Sequence, residues 1–247
     1  MRFKVLGSGS SGNGYLLISD NGETLVIEAG VRLSEVLKHV PYRNIAGLIV
    51  SHAHGDHAGY LGDYLDRRIT AWIHDESLKD WKGKVKNFLP LYFDERKKFS
   101  IGSFDIIPFR LMHDTPCFGF LIQHPDMTGN FLFCTDTADI PYTFDNVQTM
   151  AIEADYDYDI LTDNVRDGKL NLTLARRICS THLSIVKAVE FCKNSDLKKL
   201  NNIILLHLSR NNSNAERFVK MMIEATGKPT YIAKAGLEVQ AGNNPFQ

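Results

Sequence analysis

The sequence predicts a mixed α/β protein on three observations: short apolar strand-like runs recur along the chain, helix-like segments separate them, and the succession of strands followed by helices occurs twice. The first series is Phe3–Leu6, Tyr15–Ile18, Thr24–Glu28, Gly47–Ser51 and Ile69–Ile73. Within it, Leu33, Val36, Leu37 and Val40 recur at i, i+3, i+4 and i+7, which predicts one helical face closed by Pro41. The second series is Phe104–Leu111, Gly119–Gln123, Asn130–Thr135 and Thr149–Glu153. Two helices follow. Ser184 precedes Ile185, Ala188, Val189 and Cys192, and Ser213-Asn214-Ala215-Glu216 makes a capping-box pattern ahead of Phe218, Val219 and Met222. Each starts close behind a histidine, His182 or His207, and His207 ends the apolar strand Ile203–Leu206. With no Pro/Ser-rich linker and no repeat of solenoid length, the reading is two related halves in a single domain, 1–247.

Composition narrows the class. A chain of 247 residues, 44% hydrophobic and 23% charged, can bury a full core, which excludes disordered and fibrous proteins. After Arg2 and Lys4 only Val5-Leu6 precede the Gly/Ser run, too little for a signal-peptide core, and no apolar run approaches the roughly 18 residues of a membrane span. A cytoplasmic protein without a membrane role or an obligate protein partner is expected. Cys117, Cys134, Cys179 and Cys192 form no CxxC pair and read as small core residues. The net charge of −1 gives no overall attraction to nucleic acid, yet Arg166 to Lys234 holds thirteen Lys/Arg against five Asp/Glu. That surplus is either solvated helix surface or a local patch for a polyanion.

The chemistry concentrates in Ser51-His52-Ala53-His54-Gly55-Asp56-His57, directly after an apolar strand. A strand end followed by a loop aims alternate side chains into one pocket, and chance alone would give H-x-H-x-D-H about one time in a thousand for such a composition. Imidazole with carboxylate suits zinc, and also manganese or iron, rather than magnesium or calcium. Four donors this close crowd one ion and fit two better, with further ligands arriving from elsewhere.

Those residues resemble the metallo-β-lactamase superfamily, whose members follow H-x-H-x-D-H with a distant His, Asp and His, each after a strand. His113, Asp136 and His207 stand in those places. The resemblance implies a four-layer αβ/βα sandwich, two mixed β-sheets flanked by helices. It also implies two divalent ions, zinc first, held by His52, His54 and His113 on one side and by Asp56, His57 and His207 on the other, with Asp136 bridging. Further segments are similar to a bacterial branch of YycJ or WalJ type, described as phosphodiesterases and DNA exonucleases: Leu6 to Gly14, His113-Asp114-Thr115 with Gly119-Phe120, Thr181-His182-Leu183-Ser184, and His207 to Asn212. Glu28 stands where that branch usually has Asp, Thr181 where it usually has Gly, and Tyr156 where it usually has His.

A nuclease or other phosphodiesterase acting on DNA or RNA is therefore expected, with a metal-bound hydroxide attacking phosphorus and Asp56 orienting it or taking its proton. His182 would protonate the leaving sugar oxygen. Ser10, Ser11, Asn13, His182 and Ser184 are the expected substrate contacts, because a Gly/Ser loop and a helix N-terminus can both present N–H groups to phosphate. Gly7 to Gly14 reads equally as a tight turn; without a following G-K-[ST] it is not a P-loop. The alternatives are a small-molecule hydrolase of a thioester, lactone or cyclic phosphodiester, and a non-hydrolytic di-metal sensing or redox protein.

Overall fold

The structure, a computed structural model, describes residues 1–84 and 88–242; residues 85–87 and 243–247, which the expected domain 1–247 includes, lie outside the described residues. One sheet contains β1 (Arg2–Gly7), β2 (Gly14–Ile18), β3 (Thr24–Ile27), β4 (Ile45–Ile49), β5 (Ala71–Ile73) and β6 (Leu91–Tyr92), with β14 (Glu238–Gln240) returning to pair antiparallel with β1. The other runs β13 (Thr230–Ile232), β12 (Asn202–Leu206), β11 (Val147–Glu153), β10 (Asn130–Cys134), β9 (Cys117–Gln123), β8 (Phe104–Leu111) and β7 (Phe99–Ile101). Both sheets are mixed. In the first, β1, β2 and β3 pair antiparallel, whereas β3 to β6 are parallel. In the second, β10 to β13 are parallel and β7 to β10 antiparallel.

Alternation along the strands sends one set of side chains between the sheets. Phe3, Tyr15 and Ile27 from the first meet Phe118, Phe120, Phe131, Phe133 and Ile204 from the second in one apolar layer. The opposite faces are covered by helices, α1 (Leu33–Val36) and α3 (Leu61–Asp66) on the first sheet and α7 (Ile185–Lys193) and α8 (Ala215–Thr226) on the second. The four-layer order is thus helix, sheet, sheet, helix. No described helix is long and apolar enough to cross a membrane.

Three local expectations need correction. The helix expected up to Pro41 is a single turn: Lys38 and His39 N–H groups bond three residues back, to Glu35 and Val36, so the turn tightens and Leu37 faces outward at 37% exposure. The cap of α8 is Asn214, whose Oδ1 accepts from the Arg217 N–H, while Ser213 Oγ donates to the Ser209 carbonyl instead. The third strand stops at Ile27, because Glu28 has φ +69° and turns the chain away. An unforeseen hairpin of α5 (Tyr158–Arg166) and α6 (Leu172–Thr181) links β11 to α7, capped by Asp157 and Asn171 and packed on a small core of its own.

A candidate metal centre at the strand ends

Every candidate ligand leaves the C-terminal end of a strand or the loop after it. β4 delivers residues 51–57, β8 delivers His113, β10 delivers Asp136 and β12 delivers His207. Parallel strands end side by side, so residues up to 155 positions apart in the chain converge at one edge. The backbone is strained there: Glu28 (φ +69°), Asp136 (φ +25°) and His207 (φ +53°) are non-glycine residues with positive φ. Gly30 has no room for a Cβ, which would run into the Asp56 carbonyl, so this glycine lets the motif loop pack against β3.

The seven expected ligands fall into two adjoining groups. His52, His54, His113 and Asp136 can each offer one donor atom within 4.8 Å of the others, and so can Asp56, His57 and His207. Asp136 stands between them, Oδ2 4.0 Å from both His52 Nε2 and His113 Nε2, and Oδ1 3.3 Å from His57 Nε2. Two outward ring nitrogens are tied down, His113 Nδ1 donating to the Thr181 carbonyl at 2.8 Å and His52 Nδ1 meeting Ser51 Oγ at 2.8 Å, while His57 Nδ1 faces the Glu28 carboxylate at 3.5 Å. Such partners select the tautomer that leaves the other nitrogen for a cation.

Whether this set fits cations can be judged from its own polarity. His52 Nε2 is fully buried and has no hydrogen-bond partner. Four acidic side chains, Glu28, Asp136, Glu153 and Asp155, are buried around the same point, a concentration of negative charge that is costly unless compensated. Without cations the imidazoles supply the compensation. Burial opposes charging of His57, but Asp136 and Glu28 outweigh it and lift its pKa to about 10; Asp136 is held well below the carboxylate range, against burial, by His207 and His57. Burial and the neighbouring His57 push His52 down. A nitrogen and oxygen donor set under excess negative charge fits divalent metal ions, with no preference visible among zinc, manganese and iron.

Glu153 was not anticipated as a site residue. It is fully buried at the end of β11, its Oε1 2.6 Å from His182 Nδ1 and its Oε2 accepting from the Thr137 and Leu183 N–H groups at 2.7 and 3.0 Å. A glutamate ending an apolar strand beside Asp155 was the signal available. His182, the C-cap of α6, thereby joins Asp136, Glu153 and His207 in a third group of potential donors. Burial opposes protonation of His182, and Glu153 more than restores it, to about 9.

The expected substrate contacts separate. Ser10, His182 and His207 line a cleft of about 810 Å³ with Asp155 and the loop 208–212; Ser11, next in the chain to Ser10, is exposed and not part of that lining. Asn13 and Ser184 do not face the cleft. Asn13 is fully buried, its Oδ1 accepting from the Gly9 N–H and its Nδ2 2.9 Å from His57 Nε2 and 3.3 Å from Asp56 Oδ2. Ser184 is buried at the start of α7, where its Oγ accepts from the Lys187 N–H as a helix cap. The Gly7–Gly14 run is the β1–β2 hairpin turn, with Gly9 and Gly12 at positive φ.

Residues 7–123 match the family model of the metallo-beta-lactamase superfamily. Over that stretch the chain is similar to the metallo-β-lactamase superfamily. Over 86% of its length it is 27% identical to an exodeoxyribonuclease WalJ of Streptococcus pneumoniae, covering 83% of that protein, and over 87% it is 24% identical to an exodeoxyribonuclease YycJ of Bacillus anthracis, covering 85%. Its fold superimposes on the metallo-β-lactamase fold protein YhfI of Bacillus subtilis with a TM-score of 0.72 over 97% of this chain and 99% of that one, at 18% identity. The two mixed sheets with flanking helices are those of this metallo-β-lactamase fold, as the sequence led one to expect.

Proposed function

We propose that this metallo-β-lactamase-fold protein is a binuclear metal-dependent phosphodiesterase that cuts nucleic acid, DNA first, acting as one domain in the cytoplasm. The observation that carries the reading is His182. It is a partly buried imidazole beside the two ligand groups, held by Glu153 through Nδ1, so that its other nitrogen is left for a ligand in the cleft. Hydrolysis of a phosphodiester requires a proton for the departing sugar oxygen, and an imidazole kept protonated by a buried carboxylate can deliver it. The two exodeoxyribonuclease relatives and the basic surplus after Arg166 support a nucleic-acid substrate.

In this reading His52, His54, His113 and Asp136 would hold one divalent ion and Asp56, His57 and His207 the other, with Asp136 lying between the two groups. The ions, zinc in the first instance, would supply a water acidic enough to attack at neutral pH and would neutralise charge developing on the phosphoryl oxygens. Asp56 orients the attacking water and takes its proton. Asn13 and Glu28 fix the Asp56 and His57 side chains. Ser10, in the cleft lining, and Ser11, next to it in the chain, meet substrate phosphate, and His182 completes the step by protonating the leaving oxygen.

Digestion of end-labelled DNA and RNA, single- and double-stranded, with zinc or manganese present, tests the proposal. Metal-dependent cleavage that Asp56→Ala abolishes is the expected result. No cleavage of any of these by protein shown to contain two metals would refute it and point to a small ester, thioester or cyclic phosphodiester.

A further inference from the structure

The wall of the cleft opposite the candidate metal centre is formed by the α5–α6 hairpin, and its character is unlike that of the centre. Leu170, Leu174 and Ile178 line the cleft there. Leu174 and Ile178 lie one helical turn apart on α6, and Leu170 stands just before its N-cap Asn171, four residues from Leu174, so the three line one apolar strip of the cleft. Leu170 and Ile178 also lean on the small core beneath the hairpin, whereas Leu174 belongs to no core and is 46% exposed. An exposed leucine aimed into a polar cleft has a driving force to be covered by a flat apolar group.

Positive charge flanks the strip. Arg210 and Lys169 line the same cleft; Lys169 is paired with Asp167 at 3.0 Å, and Arg210 has no ion-pair partner among the described residues. The wall is tied to the loop that carries Arg210, because Asn164 Nδ2 donates to the Asn211 carbonyl and to Asn212 Oδ1. One cleft therefore brings together His182 and His207 of the candidate metal centre, an apolar strip and the guanidinium of Arg210.

We infer that this strip is the seat of one unstacked nucleobase, that of the nucleotide next to the scissile phosphate, with Arg210 on the adjoining phosphate. The inference rests on the phosphodiesterase reading above. A strip of aliphatic carbons carries no donor or acceptor that could read a base edge, so it accepts every base by its face and gives no sequence preference. A cleft of about 810 Å³ holds a nucleotide drawn out of its stack rather than a paired duplex end, so the end must fray before it enters.

The test uses metal-loaded protein and single-stranded DNA oligonucleotides that carry either natural terminal nucleotides or abasic ones. Fluorescence anisotropy reads binding and end-label release reads cleavage. Natural ends should bind about tenfold more tightly than abasic ends. In Leu174→Asp that ratio should fall to near one, and Arg210→Ala should weaken both kinds of end equally. Leu174→Ala, a milder change at an exposed position, should lie between. Equal binding of natural and abasic ends by the unaltered protein, or failure to bind any oligonucleotide, would overturn the base seat. Binding with the expected ratios but without cleavage would leave the seat standing and sink the phosphodiesterase reading; cleavage without the ratios would do the reverse.

Discussion

At the scale of single residues, the site is organised by groups that the reaction would not touch. Glu153 meets no solvent, yet it holds Nδ1 of His182 at 2.6 Å and fixes the start of the segment after α6 through the Leu183 N–H. Glu153→Gln keeps the shape but loses the charge that keeps His182 protonated. If the protein is the nuclease proposed above, turnover should drop by about 10- to 100-fold with little change in KM, and the alkaline limb of the pH–rate profile should move to lower pH. An unchanged profile would show that Glu153 is only structural. Glu28 gives a second case: its carboxylate accepts from the Ser51 N–H at 3.3 Å and faces His57 Nδ1. Glu28→Gln should lower metal affinity by about 10-fold, read as metal content after dialysis against a graded chelator.

At the scale of elements, short helices depend on their caps because few internal bonds hold them. Ser184 caps α7, whose Ile185, Ala188 and Cys192 cover the second sheet. Ser184→Ala should cost about 1 kcal/mol in urea unfolding and leave the metal content alone, which separates a capping role from the substrate contact first expected of it. The capping-box pattern at 213–216 shows the limit of such signals. Ser213 and Asn214 are both good caps in isolation, and the register is decided by Ser213 Oγ reaching the Ser209 carbonyl in the loop behind His207. The hairpin α5–α6 has a small core of its own, Leu161 and Ala175 packed with Tyr156, and polar ties to the rest from Asn164 to residues 211 and 212 and from Arg177 to Asp114.

At the scale of the whole molecule, the candidate metal centre couples to stability through charge. His57 and His182 have pKa values lifted to about 10 and about 9, above the unfolded value of about 6.5. A pKa raised in the folded state adds stability that is complete below about pH 6.5 and lost as pH climbs through 9 and 10. Metal-free protein in a chelator should therefore melt at progressively lower temperature between about pH 6.5 and 10. With zinc the dependence should reverse between about pH 5 and 8, because ligation requires neutral imidazole and improves as protons leave. Thermal unfolding followed across both pH series checks the pair of signs, and a metal-free melting temperature that rises from pH 6.5 to 9 would contradict the electrostatic account.

The sequence by itself determined the α/β fold class, most of the strands and the motif of candidate metal ligands. β8 was read residue for residue as Phe104–Leu111 because two-residue alternation and the flanking turns are local properties. H-x-H-x-D-H was legible because four donors within six positions need no folding to be close in the chain. The distant candidates His113, Asp136 and His207 were legible only through the resemblance to a family that spaces its ligands in that way. What tertiary structure alone decided is which polar side chains face the cleft and which serve the ligands. Asn13 and Ser184 have the chemistry to touch phosphate, but burial gave one to His57 and Asp56 and the other to a helix cap. Glu153 and the Leu174 strip went unread for the converse reason: an acid at a strand end, or a leucine in a helix, gains its meaning from neighbours that the packing of the second sheet and the α5–α6 hairpin bring beside it.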